Sequence, residues 1–163
     1  MPRPKNNRMV KEPPLFSEFK PTGIAGKNLN QRVLNLDEFE AIRLADYLSM
    51  SHEEAAAEMN ISRSTFTRLI DGARHKISNF LIKGELLTID GGKIHFKSNI
   101  INCIDCGHMF KMAIEKPVSN CPSCSSSKLE NLAGGFGHGN CCVNRDTPEK
   151  SVEQNARTKQ KRT

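Results

Sequence analysis

The segment that most constrains the fold is residues 51–81, because it combines two helix starts, a tight turn and a long apolar stripe. Ser51 and Glu54 have the spacing of a capping box, so we expect a helix to begin directly after Ser51. Asn60 tolerates the left-handed backbone of a tight turn, and Ser62 is a good N-cap for a following helix. The segment therefore predicts two helices joined by a short turn, the arrangement of a helix-turn-helix.

The second of these helices has two chemically different faces. Apolar residues recur at three- and four-residue steps and predict a buried stripe of Phe66, Leu69, Ile70, Ala73, Ile77, Phe80 and Leu81. The opposite face combines arginines with small hydroxyl residues, which suits the DNA major groove. We expect base edges or adjacent phosphates to be contacted by Ser62, Arg63, Ser64, Thr67 and Arg68, and phosphates by Arg74 and Lys76. A charged face that is merely solvated is the alternative.

The regions before this segment predict an arm and a supporting helix. Residues 1–35 are basic and rich in proline, and we expect an extended arm that Phe16, Phe19 and Ile24 pin to the body. Its start, Pro2-Arg3-Pro4-Lys5, suits the minor groove, with simple disorder as the alternative.

A first helix is predicted over residues 36–48. Asp37 and Glu40 resemble a capping box, and Glu38, Glu40 and Asp46 are expected to face away from the core. We interpret it as a scaffold helix within a DNA-binding domain of residues 36–83. Apolar runs on both sides of Asp90-Gly91-Gly92 then predict a β-hairpin over residues 84–97.

Four cysteines in residues 98–133 predict a metal site. Cys103 and Cys106 form one Cys-x-x-Cys pair, and Cys121 and Cys124 form another. Two such knuckles can direct four thiolates at one ion in tetrahedral geometry, which favours a single structural zinc. Iron in a rubredoxin-like site and a redox dithiol are the less favoured alternatives. Four thiolates leave no open coordination position, so we do not expect a catalytic metal.

Residues 134–163 are expected to be a glycine-rich linker and a disordered basic tail. His138, Cys141 and Cys142 lie in it, either as incidental groups or as a second metal or redox site. The net charge of +6 is concentrated at the two ends of the chain and on one helix face, as in proteins that follow phosphates. The sequence contains no apolar run long enough for a signal peptide or membrane span, so we expect a cytoplasmic, nucleoid-associated protein.

The motifs MPRPK, FKP, LDEFEAIRLAD and EEAAAEMNISRSTFTRLIDGARHK, with the Gly-Gly turn, resemble an uncharacterised family of predicted DNA-binding proteins from bacteria and archaea. The resemblance covers about residues 1–97. Within it, residues 36–82 are similar to the promoter-reading region four of sigma factors, which implies a small bundle with SRSTFTRLIDGAR in the major groove. The cysteine segment resembles a zinc ribbon.

These expectations combine into a mainly α protein, a helix-turn-helix of winged-helix type followed by a β-hairpin and a zinc ribbon. The expected function is that of a sequence-specific transcriptional regulator that binds double-stranded DNA through the helix of residues 63–76. The alternatives are an adaptor that docks on RNA polymerase or another protein, and a metal or redox sensor. An enzyme is not expected, because no nucleophile has a paired base. A homodimer is one expected form, since helix-turn-helix proteins often bind palindromes as dimers.

Overall fold

Four α-helices lie within residues 7–114 and 116–137, the part of the chain that this computed structural model describes. They are α1 (Leu36–Ile42), α2 (His52–Glu58), α3 (Arg63–Lys83) and α4 (Leu132–Gly135). α1 continues into a wider π-helical turn, Arg43–Tyr47, closed by the Leu48 N–H, which donates to the Arg43 carbonyl. Gly84 ends α3 in the left-handed conformation, with φ of 64°. The predicted starts of α2 and α3 are therefore confirmed.

Eight short strands form three small sheets in the same part of the chain. They are β1 (Arg8–Val10), β2 (Glu18–Phe19), β3 (Gln31–Leu34), β4 (Leu86–Ile89), β5 (Ile94–Phe96), β6 (Asn99–Cys103), β7 (Met109–Met112) and β8 (Leu129–Asn131). β1 pairs in parallel with β5, and β4 lies between antiparallel β2 and parallel β3. β6 lies between β7 and β8, antiparallel to both. The sequence predicted a mainly α chain and did not foresee β1, β2 or β3.

Two buried clusters hold the elements together, and α3 contributes to both. One packs the sheets against α3 and contains Val10, Leu34, Leu36, Ala73, Leu87, Ile89, Phe96 and Ala133. The other packs α1 and its π turn, α2 and α3, and contains Ala41, Leu44, Ala55, Ala56, Met59, Phe66 and Ile70. The predicted apolar stripe of α3 is correct except for Leu81, which is 68% exposed.

The N-terminal segment is part of the fold from residue 7 onward. Val10 is fully buried, and the Met9 N–H donates to the Met59 carbonyl at the end of α2 (3.1 Å). The prediction that Phe16, Phe19 and Ile24 pin this segment is wrong, because they are 62%, 44% and 43% exposed. Strand pairing and Val10 hold the segment instead. Pro2-Arg3-Pro4-Lys5 lies outside the described residues.

The acidic residues of α1 differ from their prediction. Glu38 and Glu40 are buried, whereas the sequence pattern placed them on the outward face. Burial is tolerated because each carboxylate is paired: Glu40 accepts from the Arg43 guanidinium at 2.7 and 2.8 Å. The cap also differs, since the Asn35 N–H donates to Glu38 (2.8 Å) and the capping box is therefore Asn35 with Glu38, not Asp37 with Glu40.

The predicted β-hairpin over residues 84–97 is wrong, although both of its strands exist. β4 pairs with β2 and β3, while β5 pairs with β1, so the two strands belong to different sheets. The Gly91 carbonyl accepts from the Leu36 N–H (3.1 Å), which places the Asp90-Gly91-Gly92 turn against the start of α1. β2 and β3 thus lie beside β4, and β1 lies beside β5, where a hairpin would have paired β4 and β5 with each other.

Candidate nucleic-acid interface and metal centre

The turn between α2 and α3 is fixed by the residues that the sequence singled out. The Ser51 hydroxyl accepts from the Glu54 N–H, and the Glu54 carboxylate accepts from the Ser51 N–H at 2.9 Å. Asn60 has a positive φ of 56°, which reverses the chain. The Ser62 hydroxyl then accepts from the Thr65 N–H (3.2 Å) and caps α3. Local side-chain chemistry therefore determines the direction in which α3 leaves the turn.

The first two turns of α3 present polar groups to solvent. Ser62, Arg63, Ser64 and Arg68 are exposed, and Thr67 is half-buried. At 100° per residue Arg63, Ser64, Thr67 and Arg68 fall within an arc of about 140° on α3, and Ser62 caps the helix directly before them. Within residues 7–114 and 116–137, neither Arg63 nor Arg68 has an acidic partner. Both guanidinium groups are therefore available to an external ligand.

The two residues predicted to contact phosphates have protein partners instead. Arg74 donates to Asp46 through Nη2 (2.7 Å) and Nε (3.2 Å), and hydrogen bonding to Asp46 raises the pKa of its guanidinium. Lys76 Nζ donates to Glu38 (2.6 Å) on the side of α3 that faces α1. The structure therefore brings five of the seven predicted DNA-contacting residues together on the first two turns and ties the other two to the first helix.

The four predicted cysteine ligands converge on one point. Their Sγ atoms all lie within 4.8 Å of one another. Cys103 Sγ lies 3.6 Å from Cys124 Sγ, and Cys106 Sγ lies 3.7 Å from Cys121 Sγ. A zinc ion with Zn–S bonds of about 2.3 Å in tetrahedral geometry requires sulfur separations of about 3.8 Å. The residues present therefore fit a metal ion, and the donor set is compatible with zinc.

Each cysteine pair lies in the same kind of turn. In the first, the Gly107 N–H donates to the Cys103 carbonyl (2.8 Å), and Gly107 has φ of 71°. In the second, the Ser125 N–H donates to the Cys121 carbonyl (2.9 Å), and Ser125 has φ of 61°. The sequence signals this conformation in the first turn, where the residue is a glycine, but not in the second, because serine gives little signal for a left-handed conformation.

The proton affinities of the thiols reflect their mutual proximity. The backbone N–H of Cys106 stabilises the Cys103 thiolate and lowers its pKa to about 7. At Cys124, the Ser126 N–H favours the thiolate, but the neighbouring thiols, Cys106 first, outweigh it and raise the pKa to about 12. The cluster therefore accepts a first negative charge readily and resists further ones. A bound dication would remove that resistance.

The cysteine segment is joined to the rest of the protein through α4. Ala133 is fully buried in the sheet-side cluster, and the Phe136 ring lies 6.2 Å from that of Phe96. The buried Asn99 donates to Asn131 (2.7 Å) and accepts from the Ala133 N–H (3.0 Å), so its polar atoms are satisfied. The cysteine segment therefore shares a core with β1 and α3.

The described residues define a protein of four α-helices and three small sheets, with a four-thiol site that can hold a metal ion. The chain belongs to the family described as "Protein of unknown function DUF134", which matches residues 1–97. That match covers all of α1, α2 and α3 and ends just before the cysteine segment.

Similar proteins extend the resemblance beyond residue 97. A UPF0251 protein from Chloroherpeton thalassium is 46% identical over 132 residues, covering 81% of this chain and 87% of the relative. A UPF0251 protein from Pelotomaculum thermopropionicum is 45% identical, covering 77% of this chain and 95% of the relative. The UPF0251 protein CT1277 from Chlorobaculum tepidum is 39% identical, with 85% and 73% covered. No solved structure matches the chain.

The sequence suggested that His138, Cys141 and Cys142 are either incidental groups or a second metal or redox site. These residues lie outside the described residues. In residues 7–114 and 116–137, every helix is too short or too polar to cross a membrane.

Proposed function

We propose that this chain is a sequence-specific double-stranded DNA-binding protein that regulates transcription. In this proposal α2 and α3 act as a helix-turn-helix, and residues 63–76 of α3 enter the major groove. The observation that carries it is the pair of exposed arginines, Arg63 and Arg68, which lie among small hydroxyl residues just after a capped turn and have no acidic partner in the part of the chain that the structure describes. Arginine pairs with guanine through two hydrogen bonds, whereas Ser and Thr contact several bases.

We infer that the cysteine segment is a zinc ribbon with one structural zinc ion. Cys103, Cys106, Cys121 and Cys124 would hold the ion, and four thiolates would close its coordination shell. Such an ion supplies folding free energy rather than chemistry, which agrees with our proposal of a binding protein and not an enzyme. The ribbon gives a second surface for DNA or for a protein, and a cytoplasmic location at the nucleoid follows from the proposed role.

The decisive experiment is selection of fragments from the organism's genomic DNA by the zinc-loaded protein at physiological salt. An Arg63→Ala/Arg68→Ala variant removes the two exposed guanidinium charges from the first two turns of α3. A Lys27→Ala/Lys83→Ala variant is the matched control, because it removes two exposed charges elsewhere. We expect a short motif that the control variant recovers and the arginine variant does not. Each arginine that pairs with guanine should contribute about 1–3 kcal/mol to the binding free energy.

The alternative outcomes separate base reading from simple charge attraction. If the wild-type protein and both variants recover the same unselective fragments, α3 follows phosphates without reading bases. If wild type recovers a motif that the arginine variant binds equally well, the motif is read elsewhere on the protein. Either result contradicts the assignment of Arg63 and Arg68 as base-reading residues.

An adaptor of the transcription machinery is the second candidate function, and one observation favours it. Tyr47 and Leu48, at the end of the first helix, are 82% and 46% exposed. Apolar side chains next to each other on a surface are typical of protein-binding sites. An adaptor would bind RNA polymerase in the absence of DNA and would lose that binding in a Tyr47→Ser/Leu48→Ser variant. A regulator that needs only DNA, as a monomer or as a homodimer on a palindrome, would keep its DNA affinity in the same variant.

A further inference from the structure

Thr67 differs from the other hydroxyl residues at the start of α3 because its hydroxyl is tied both to its own helix and to α2. Thr67 Oγ1 lies 3.1 Å from the Arg63 carbonyl oxygen and 3.0 Å from His52 Nδ1. The exposed Ser62 and Ser64 hydroxyls, by contrast, bond only within the first turn, 3.2 Å from each other, with Ser62 also 2.8 Å from Thr65 Oγ1. Thr67 nevertheless occupies the outward side of α3, between Arg63 and Arg68 in the helical repeat.

The hydroxyl proton of Thr67 is used within the protein whichever neighbour receives it. A hydroxyl has one proton. If the proton goes to the Arg63 carbonyl, His52 donates to Thr67 from Nδ1; if it goes to Nδ1, His52 is the acceptor. In both arrangements Thr67 has no proton left to donate to a DNA base. Its γ-methyl group is the part that remains free of polar partners.

His52 is itself held in place, so this arrangement is fixed rather than incidental. Its ring meets the edge of Phe66 at a centroid distance of 5.3 Å and an interplanar angle of 64°. Phe66 is fully buried in the helical cluster and cannot move without disturbing it. His52 is the first residue of α2, so the residue that holds the Thr67 hydroxyl comes from the helix before the turn.

We propose that Thr67 reads the C5-methyl group of a thymine and that His52 is the positioning residue that turns its methyl group toward the DNA. Thymine is the only one of the four bases that shows a methyl group in the major groove, and the methyl of Thr is a suitable apolar partner for it. This inference rests on the proposed function, because it requires α3 to lie in the major groove. It adds a base preference to that function: one A·T pair, read through its methyl group, between the positions contacted by Arg63 and Arg68.

The test replaces thymine by deoxyuracil, which differs only by the missing methyl group. Each thymine of the selected motif is replaced in turn in a synthetic duplex, and affinities are measured with the full-length zinc-loaded protein. Burying one methyl group is worth about 0.8 kcal/mol, so we expect about a fourfold loss of affinity at one thymine per bound α3. Thr67→Val carries a methyl group at both γ positions, so one of them faces the DNA without help from His52, and the variant should retain this loss. Thr67→Ser removes the methyl group and should bind both duplexes equally.

His52→Ala separates a positioning role from a general structural one. If His52 positions Thr67, the variant should reduce the ratio of the two affinities, thymine duplex over uracil duplex, while Arg63 still binds its own base. If His52 only supports the fold, both affinities should fall by the same factor and the ratio should stay at the wild-type value. The second result would overturn the role of His52.

The outcomes for this inference and for the proposed function can be told apart. Selective binding that is insensitive to deoxyuracil at every position, or a Thr67→Ser variant that still discriminates, overturns the thymine assignment and leaves the DNA-binding proposal intact. A wild-type protein that selects no DNA motif overturns both.

Discussion

The ion pair between Lys76 and Glu38 gives a prediction that separates a structural lysine from a phosphate-binding one. Lys76 Nζ lies 2.6 Å from Glu38 Oε2, and only 29% of the lysine side chain and 11% of the glutamate side chain are exposed. Lys76→Gln would leave a nearly buried carboxylate without its cation. Fully buried pairs cost about 3–5 kcal/mol to break and exposed pairs about 0–1 kcal/mol, so we expect a loss of about 2 kcal/mol in unfolding free energy.

Thermal unfolding and the salt dependence of DNA binding together test this prediction. A loss of about 2 kcal/mol should lower the Tm by about 4–8 °C in a protein of this length. Lys83→Gln, in the last turn of the same helix, is the control, because Lys83 is exposed. If Lys76 binds a phosphate, as the sequence alone suggested, its variant should keep the wild-type Tm and reduce the slope of log affinity against log salt by about one unit. That result would refute the structural assignment.

Three further outcomes follow from the fold. Gly84→Ala should cost about 1 kcal/mol in unfolding free energy by urea titration, because φ of 64° at the end of α3 is strained for alanine; an unchanged midpoint would contradict this. Removing the metal with a chelator should expose four additional thiols to a thiol reagent and unfold β6, β7 and β8, because a structural metal supplies about 10 kcal/mol of folding free energy. Thiol reactivity that does not change on chelation would argue against a resident metal. The pKa of Glu54 is lowered by the Ser51 hydroxyl, so the stability that it contributes should be complete above its unfolded pKa and be lost as the pH falls through the lower folded value. Glu54→Gln should flatten the stability profile in that acidic range, and a profile identical to wild type would exclude the contribution.

The helix boundaries and the cysteine cluster could be predicted because each depends on chemistry within a few residues. Ser51 and Ser62 cap helices through bonds to N–H groups three residues later, and Asn60 and Gly84 adopt the left-handed conformations that end helices. The spacing within each Cys-x-x-Cys pair is equally local. Because these interactions form within a short segment, they do not depend on the rest of the fold, and the sequence alone was sufficient to predict them.

The sheet pairings could not be predicted because the partners are far apart in the chain. β3 and β4 pair in parallel across the whole helical region, and β1 pairs with β5 across more than eighty residues. Strands of three or four residues carry too little alternation to identify a partner. The Asp90-Gly91-Gly92 turn was a genuine turn signal, but the bond from the Leu36 N–H to the Gly91 carbonyl shows that it serves the start of α1.

Buried ion pairs escaped prediction for a related reason. Periodicity places charged residues on a solvent face by default, and Glu38 and Glu40 depart from it because cations reach them inside the fold. Arg43 is only three residues from Glu40, so that pair could have been found from the sequence. Lys76 lies on another helix, and the residue spacing within α1 or within α3 does not indicate that Lys76 pairs with Glu38.

The contacts of β1 connect the cysteine segment to the helices that we propose bind DNA. β1 pairs with β5, whose Phe96 touches Phe136 just after α4, and the Met9 N–H of β1 donates to the Met59 carbonyl one residue before Asn60. The cysteine segment thus supports, through β1, the end of α2 and the turn that sets the direction of α3. Loss of the metal should therefore weaken DNA binding even with Arg63 and Arg68 in place. Chelated protein that binds its motif with unchanged affinity would mean that the helical region holds the turn unaided, because Ala55, Met59 and Phe66 form a core in which the cysteine segment has no part.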